Sequence, residues 1–360
     1  MTIQRVLCAS ALLFGVLPYM SHAQSAATSP RHIIIDADPG VDDSFAILLG
    51  LRSPEIKIDA ITIVFGNVPV DIGTQVALRL AEAASRTDIP ISKGANEPLV
   101  RRFTFNPSAH GPDGMLGQAK AFPDPKTHAV DTPAVELMRS IIYKHPGEES
   151  IVAIGPLTNL ATLVRSNPEI AKMIHEIVLM GGSTAGGNNT PSAESNIWHD
   201  PEAAQIVFHS GIPITMVGLD ATRKMEFKEE YVRQLEGSTD PVAQMAAKLG
   251  RAGVHETDKG PVGRVLHDPL AMAAFIDPTI ITTKNCRVEV ETAGEFTAGE
   301  TVAWCDGRFH SDEPLLGEAP EPVGWGAPDP NAIISKVAID VDLTKYYALL
   351  MPRLLGNAAQ

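Results

Sequence analysis

Positive charge is scarce in this sequence relative to negative charge. Its 360 residues include 29 lysines and arginines against 43 aspartates and glutamates, which gives a formal net charge of −14. Binding to nucleic acid or to an anionic membrane depends on clustered positive charge, so neither is expected as a partner. The chain also lacks a P-loop and a basic cluster, which argues against a phosphate-binding site.

Cysteine is equally scarce, with three residues in all and no pair spaced as zinc ligands. Cys8 lies in the N-terminal leader. Cys286 and Cys305 each lie at the outer end of an alternating segment, and the glycine-containing run between them predicts a small C-terminal β-hairpin. Such a hairpin would bring the two thiols together, and an oxidising compartment would permit a disulfide. Two unpaired cysteines are the alternative.

The sequence has no apolar run long enough to cross a bilayer, but it begins like a targeting segment. Arg5 precedes a largely apolar stretch, and Ser21-His22-Ala23 has the small-x-small pattern of a cleavage site. We therefore expect residues 1–23 to be a signal peptide cleaved near Ala23, and the protein to be exported, most simply to a bacterial periplasm. An uncleaved tail is the alternative. Residues 24–360 suit a single large α/β domain.

Strand-like and helix-like segments alternate along the rest of the chain. Three consecutive isoleucines at 33–35 are typical of a buried parallel strand. Residues 228–251 are predicted to be helical and polar, and a long loop is predicted over 98–131, where a functional role is common. Further strands are predicted at 58–66, 89–92, 151–154, 176–180, 214–218 and, as the last element of the chain, 334–341.

Four aspartates follow the isoleucine strand within eight positions: Asp36, Asp38, Asp42 and Asp43. Pro39-Gly40 predicts a turn among them, so the carboxylates fall where a strand ends and a helix begins. Ligands bind at that edge of an open α/β sheet, and burying several unpaired carboxylates is costly. A hard cation would resolve the conflict, and oxygen-only ligands favour calcium or magnesium over zinc. The alternative is a solvated acidic turn that caps the helix.

Polar residues also follow other predicted strands, among them Asn67 and Asp220. Carboxylates and amides without a basic cluster suit a neutral, hydroxyl-rich ligand such as a sugar. His267-Asp268 forms a second ionisable pair at a predicted helix start, where Asp268 could simply cap the helix. With the aspartate cluster in need of another ligand, we favour a functional role for the pair.

The ordered set of motifs resembles the nucleoside hydrolase family of the inosine/uridine type, over nearly the whole chain after the leader. The matching positions are Asp36-x-Asp38-Pro39-Gly40-x-Asp42-Asp43, Gly66-Asn67, His110-Gly111, Gly155-Pro156-Leu157-Thr158-Asn159, Leu179-Met180-Gly181-Gly182, Gly187-Asn188, Glu194-x-Asn196, Asp200-Pro201-Glu202-Ala203-Ala204 and His267-Asp268-Pro269.

That resemblance implies a doubly wound, mostly parallel, Rossmann-like α/β fold, a homodimer or homotetramer, and cleavage of the N-glycosidic bond of ribonucleosides to ribose and free base. It also implies one bound calcium ion, held by Asp38, Asp43, Asp268 and the backbone carbonyl of Ile154. Asp38 would be the general base that activates a calcium-bound water, and His267 the acid for the departing base. The resemblance assigns the ribose to Asp42, Asn67, Met180, Asn188, Glu194, Asn196 and Asp268, with Asp36 as a support behind the cluster.

The sequence departs from the family pattern around the expected base pocket. Ser195 stands where many relatives have phenylalanine, and 247–265 contains no tyrosine. His255 and Trp198 are candidates to line the pocket, with a surface or core position as the alternative. Base preference, purine or pyrimidine, therefore stays open.

Two other functions compete with the hydrolase. A phosphatase of the haloacid dehalogenase type would use Asp36 as nucleophile and Asp38 as acid, but Pro39-Gly40 replaces the residue that this class places next. A periplasmic calcium-dependent nucleoside-binding or sugar-binding protein would keep the ribose contacts and lack the base. Because Asp38 is intact, we favour an enzyme.

Overall fold

The computed structural model of the protein describes residues 29–258, 260–305 and 333–357. Its strands are β1 (Arg31–Ala37), β2 (Ile56–Ile63), β3 (Ile91–Lys93), β4 (Glu149–Ala153), β5 (Ile174–Met180), β6 (Ile214–Val217), β7 (Glu226–Phe227), β8 (His255–Thr257), β9 (Gly260–Val262), β10 (Arg264–Val265), β11 (Ile281–Val290), β12 (Thr301–Cys305) and β13 (Ile334–Val341). Its α-helices are α1 (Val41–Leu51), α2 (Val70–Ala83), α3 (Ala134–Lys144), α4 (Thr158–Ser166), α5 (Ser195–His199), α6 (Pro201–Phe208), α7 (Leu219–Thr222), α8 (Glu229–Glu236), α9 (Pro241–Ala252), α10 (Asp268–Ile276) and α11 (Leu343–Leu354).

Nine of these strands form one sheet in the order β12-β11-β13-β6-β5-β4-β1-β2-β3. From β3 to β13 all neighbours are parallel, whereas β11 and β12 are antiparallel additions at one margin. The doubly wound α/β fold is thereby confirmed, and the C-terminal hairpin extends the main sheet. The chain runs from β1 through β2 to β3 on one side of the sheet and continues with β4 on the other side of β1. The strand order therefore reverses between β1 and β4, and such a switch point is where α/β sheets bind ligands.

The isoleucines of β1 contribute to cores on both faces of the sheet. Ile33 and Ile35 belong to the core built with helices α1, α2, α9, α10 and α11, and Ile34 belongs to the core built with α3, α4 and α6. All three are fully buried, as a strand covered on both faces requires. The sheet is therefore sandwiched between two helical layers.

Helices α1 and α10 are buried along their whole length. They pack against each other, and both begin at the edge where β1 ends. Asp42 and Asp43 lie in the first turn of α1, and Asp268 is the first residue of α10. Two positive helix ends thus meet at one place and favour carboxylates there.

In the C-terminal half, one prediction is confirmed and one was wrong. The segment 228–251 is helical as predicted, and the structure divides it into two helices, because Gly237 ends α8 and Asp240 caps α9 with Pro241 in its first turn. The chain does not end on a strand, since helix α11 follows β13. The buried residues of α11 recur at helical spacing, but Pro352 lies within the helix, and proline in a sequence argues against a helix.

The hairpin prediction is confirmed, and the structure joins its cysteines. Cys286 and Cys305 are directly paired across β11 and β12 and form a disulfide. The predicted signal peptide and the proline-rich stretch 313–330 lie outside the described residues. Within the described ranges, no helix combines the length and apolarity needed to cross a membrane.

Candidate active site

A cavity of about 180 Å³ opens at the carboxyl edge of the sheet, next to the ends of β1, β4 and β5. A larger cleft of about 540 Å³ lies elsewhere, against exposed polar residues such as Lys248 and Arg251, and has no buried acidic cluster. The cavity at the sheet edge is therefore the candidate site. Its lining is Asp42, Asn67, Ala109, His110, Ile154, Met180, Asn188, Asn189, Glu194, Ser195, Asn196, His267 and Asp268.

Three buried aspartates converge beside this cavity. Asp42, Asp43 and Asp268 each offer a carboxylate oxygen, and these oxygens lie within 4.8 Å of one another. Asp38 is tied to the group because its N–H donates to Asp43 Oδ1 at 3.2 Å. Asp43 Oδ2 accepts from the N–H of Gly40 at 3.0 Å, which fixes that carboxylate at the start of α1.

The Asp38 carboxylate is held through one oxygen only. Its Oδ2 accepts the N–H of Asn67 at 2.6 Å, while its buried Oδ1 has no hydrogen-bond partner. The backbone at Gly66 and Gly155 lies so close to the Asp38 carboxylate that no side chain fits at either position. A Cβ on Gly66, whose φ is +155°, would lie 2.0 Å from Asp38 Oδ2, and one on Gly155 would lie 2.8 Å from Oδ1. These contacts explain two glycines of the recognised motifs.

Burial and mutual repulsion shape the ionisation of the cluster. Burial, and then the charge of Asp43, raises the pKa of Asp38 well above its usual value. The pKa of Asp268 is raised in the same way, by burial and then by the charges of Asp42 and Asp43. Burial and the charge of Asp42 raise the pKa of Asp43 to about 6. The cluster therefore holds its full negative charge only at a cost in free energy.

Asp42 behaves differently because two histidines and an arginine lie beside it. Burial raises its pKa, but His110, Arg264 and His267 outweigh burial and leave the pKa below the usual value. Burial lowers the pKa of His110 to about 4, so that ring is neutral at physiological pH. Arg264 is then the lasting positive charge beside Asp42.

The residues present fit a bound divalent cation. Asp38 Oδ1 and Asp42 Oδ1 are buried oxygens without a donor, and the raised pKa values show that the cluster lacks compensating charge. Its donors are oxygens only, which suits a hard ion such as Ca²⁺. The carbonyl of Ile154 also faces this region, although it already accepts a hydrogen bond from Asn196 Nδ2 at 3.0 Å.

The opposite wall of the cavity is built around helix α5. Glu194 caps that helix, and its carboxylate accepts the N–H groups of Gly182, Asn196 and Ile197 at 3.0 to 3.1 Å. Burial raises the pKa of Glu194 to about 7, against these backbone donors. Asn196 Nδ2 also donates to the Met180 carbonyl at 3.0 Å, so its amide bridges the ends of β4 and β5.

The glycine- and asparagine-rich loop after β5 is anchored at several points. Asn188 Oδ1 accepts the N–H of Ser195 at 3.0 Å. Asp220 lies outside the cavity and accepts the N–H of Thr184 at 2.9 Å, so it steadies the loop. Ser183 forms two hydrogen bonds with the Thr301 hydroxyl of β12. The loop thereby presents Asn188 to the cavity.

Two histidines face the cavity, and the sequence interpretation assigned a role to only one. The Nδ1 atom of His267 lies 2.8 Å from the Thr222 hydroxyl, which leaves Nε2 as the nitrogen available to a ligand. Burial lowers the pKa of His267. His110 comes from the long loop, and its Nδ1 accepts the N–H of Val41 at 3.1 Å. The His110-Gly111 motif was the available signal for it.

Asp36 lies behind the cavity, as the resemblance implied. Its Oδ1 accepts from the Thr62 hydroxyl at 2.6 Å and from Asn159 Nδ2 at 2.8 Å, and burial raises its pKa to about 7. A carboxylate so enclosed is unavailable as the nucleophile of a phosphatase. Trp198 and His255 do not line the cavity: Trp198 is partly exposed on α5, and His255 is exposed on β8.

Comparisons with known proteins identify the family of this chain. Residues 33–348 match the family model for inosine-uridine preferring nucleoside hydrolases. The pyrimidine-specific ribonucleoside hydrolase RihA of Photobacterium profundum is 42% identical over 275 residues, which are 76% of this chain and 88% of that protein. RihA of Citrobacter koseri is 41% identical over 330 residues, which are 91% of this chain and 99% of that protein.

Solved structures of nucleoside hydrolases superpose over nearly the whole chain. A plant nucleoside hydrolase has a TM-score of 0.78 and 32% identity, and a purine-preferring ribonucleoside hydrolase from Gardnerella vaginalis has a TM-score of 0.78 and 31% identity. Each comparison covers 91% of this chain and 99% of the other. Together with the family match over residues 33–348, these relatives show that the chain belongs to the inosine-uridine preferring nucleoside hydrolase family.

Proposed function

We propose that this protein is a calcium-dependent hydrolase that cleaves the N-glycosidic bond of ribonucleosides and releases ribose and the free base. The observation that carries the proposal is the buried carboxylate cluster beside the cavity, with Asp38 Oδ1 lacking any donor. The family membership supports the same reaction.

Asp38, Asp43 and Asp268, with the carbonyl of Ile154, would hold the calcium ion, and Asp42 lies close enough to complete the negative wall. When bound, calcium supplies a fixed positive charge that neutralises these carboxylates and favours ionisation of a neighbouring water. Mixed nitrogen and sulfur ligands, which zinc prefers, are absent from this set of residues.

Asp38 acts as the general base in this proposal. The N–H of Asn67 fixes Oδ2, and the position without a donor, Oδ1, is left to accept a proton from the attacking water.

The sugar is held by acceptors and amides around the cavity. The reacting carbon becomes positively charged as the base departs, and the nearby carboxylates favour that charge. Fixed contacts to the ribose hydroxyls keep this carbon in line with the attacking water. We assign those contacts to Asp42, Asn67, Met180, Asn188, Glu194, Asn196 and Asp268, all of which line the cavity.

His267 is the proposed acid for the leaving base. Thr222 fixes its Nδ1, which orients Nε2 for proton donation as the glycosidic bond breaks. A neutral base is a far better leaving group than its anion, so this donation should contribute to the rate.

Pyrimidine ribonucleosides are the proposed preferred substrates. The relatives at 41% to 42% identity are named as pyrimidine-specific, whereas the purine-preferring relative is 31% identical. Ser195, which lines the cavity in place of an aromatic residue, leaves less surface against which a purine could stack.

The experiment is a reducing-sugar assay of ribose release from uridine, cytidine, inosine and adenosine, with calcium and after exhaustive chelation. We expect release that requires calcium and is fastest with the pyrimidines. Release from purines alone would overturn the base preference but leave the hydrolase. Tight ribonucleoside binding without release from any substrate would point to the binding-protein alternative.

Export and self-assembly are also proposals. An exported enzyme could serve salvage of extracellular nucleosides, and the Cys286–Cys305 disulfide supports an oxidising compartment. A homodimer or homotetramer is proposed from the family resemblance. Cell fractionation tests the export, and light scattering tests the oligomeric state. A cytosolic protein, or a monomer at micromolar concentration, would contradict them.

A further inference from the structure

A second cluster of ionisable side chains lies at the amino edge of the same sheet, far along the strands from the cavity. It consists of His32 near the start of β1, Asp59 on β2 and Glu149 at the start of β4. Each of the three offers one ligand atom, and these atoms lie within 4.8 Å of one another. None of these residues takes part in the proposed hydrolysis.

The strand register explains why these residues meet. Ile33 pairs with Ser150 across β1 and β4, which brings Glu149 beside His32. Between β1 and β2 the pairing shifts from Ile33–Ile58 to Ile34–Ala60, so Asp59 is the extra residue of a bulge. Bulges re-aim side chains, and this one directs Asp59 towards His32.

Glu149 is the unusual member of the group. Its side chain has no exposed surface, and neither carboxylate oxygen has a hydrogen-bond partner. A buried carboxylate without a donor is expensive, and here it also faces the carboxylate of Asp59. Burial and then the charge of Asp59 raise the pKa of Glu149 to about 8. The Glu149 carboxylate therefore lacks a hydrogen-bond donor, and the basic group beside it is His32 Nδ1 at 3.6 Å.

The three side chains are close enough to share one small ion. His32 Nδ1 lies 2.5 Å from Asp59 Oδ2 and 3.6 Å from Glu149 Oε1. The 3.6 Å distance is close to the roughly 3.3 Å between two ligand atoms of a tetrahedral ion with bonds of about 2.0 Å, whereas the 2.5 Å contact is a hydrogen bond that a bound ion would replace. Lys57 pairs with the other oxygen of Asp59, at 3.1 Å, and so leaves Oδ2 to face His32.

We propose that His32, Asp59 and Glu149 form a second cation site, which takes a first-row divalent transition ion such as Zn²⁺. One imidazole nitrogen with two carboxylates is a donor set that favours such an ion over calcium. The ion would supply the charge that Glu149 lacks and would link three adjacent strands at the edge opposite the cavity. Its role is structural, and it is independent of the proposed hydrolysis.

The test is zinc binding by the full-length protein, stripped of metals and then kept in saturating calcium to fill the catalytic cluster. Equilibrium dialysis measures bound zinc, and cobalt absorption reports on the ligands. The variants are Glu149→Gln and His32→Gln. The matched control is Glu148→Gln, which changes the adjacent, largely exposed glutamate.

We expect one zinc per chain, with affinity reduced 10- to 100-fold or more in both site variants and unchanged in the control. Ribose release with calcium should stay within about twofold of the parent protein in all three variants. Absence of zinc binding in calcium would overturn the proposal. Equal zinc affinity in Glu149→Gln and the parent would also overturn it, as would loss of zinc binding only on Asp43→Asn.

Discussion

At the carboxyl edge of the sheet, Asp38, Asp42, Asp43 and Asp268 lie beside an open cavity. At the amino edge, Asp59 and the fully buried Glu149 lie beside His32. Both edges bury carboxylates that lack donors. They differ in the helix ends around them, because the positive ends of α1 and α10 lie at the carboxyl edge.

Helix polarity therefore determines what each edge can do. In a sheet with parallel strands, the connecting helices begin at the carboxyl edge and end at the amino edge. The carboxyl edge can hold several carboxylates and still bind a neutral sugar. The amino edge has no such support, so its two carboxylates are accompanied by an imidazole and by Lys57. In our proposals, buried carboxylates therefore serve catalysis at the carboxyl edge and a structural ion at the amino edge.

The largest expected effect is at the carboxyl edge. Asp38→Ala should lower kcat for ribose release by about three decades or more, because it removes both the base and a calcium ligand. The control is Asp124→Ala, which changes an aspartate that is almost fully exposed. Initial rates on uridine, with circular dichroism to check folding, measure the effect. Retention of most activity in a folded Asp38→Ala protein would refute the assignment.

Removal of the proposed acid should have a smaller effect that depends on the leaving group. His267→Ala should lower kcat on uridine by about two decades. It should barely change the rate on a riboside whose leaving group departs as a stable anion, because that group needs no proton. His255→Ala, at an exposed histidine, is the control. An equal loss on both substrates would show that His267 acts through binding or structure.

A change at the antiparallel margin of the sheet should affect stability alone. Replacement of Cys286 and Cys305 by serine opens a loop with a sequence separation of 19, which should lower the free energy of unfolding by about 3 kcal/mol. Urea unfolding with and without reductant measures the change. The rate on uridine should stay within about twofold, and a large loss of rate would link this hairpin to the cavity loop that Ser183 and Thr301 connect.

The smallest effect is a pH dependence at the amino edge. The pKa of Glu149 is about 8 in the folded protein against an ordinary 4.5, chiefly through burial and then through Asp59, while Lys57 opposes the shift. Between pH 4.5 and 8 the folded state keeps a proton that the unfolded state loses. The free energy of unfolding should therefore fall as pH rises through that window.

Glu149→Gln stays neutral and should show a shallower fall in chelated protein. Glu148→Gln removes a charge that helps to raise the pKa of Glu149, so its fall should be slightly shallower than that of the parent and steeper than that of Glu149→Gln. His32 and His145, whose rings stack at 5.3 Å, are unchanged in both variants. Urea unfolding at several pH values measures the slopes. If the free energy of unfolding falls equally steeply with pH in the parent and in Glu149→Gln, Glu149 has the same pKa in the folded and the unfolded protein.

Local sequence signals were sufficient for the centre of the molecule. The isoleucines of β1, the turn at Pro39-Gly40 and the four aspartates lie in one short stretch, so their pattern predicts both the strand and the polar edge. The resemblance added residues from distant segments, and the structure brings those residues to one cavity. Helix α11 was not predicted because Pro352 argues against a helix in the sequence. The buried face of that helix is nevertheless formed at helical spacing by Tyr346, Leu350 and Leu354.

Contacts that depend on register could not be predicted from the sequence. His32, Asp59 and Glu149 are far apart in the chain, and a bulge of one residue decides whether they meet. The hydrogen bonds from Asn196 to the carbonyls of β4 and β5 likewise depend on how α5 is placed against the sheet. His110 reaches the cavity from a long loop without periodicity, where only the resemblance marked its position.

The most direct test of the central claim is a calcium titration of the metal-free enzyme, with bound calcium and ribose release measured on the same samples. The proposal predicts that activity rises in proportion to calcium and reaches its plateau at one tightly bound ion per chain. It also predicts that Asp43→Asn binds that ion far more weakly. Full activity in enzyme shown to be free of metal would contradict the role given to the carboxyl edge.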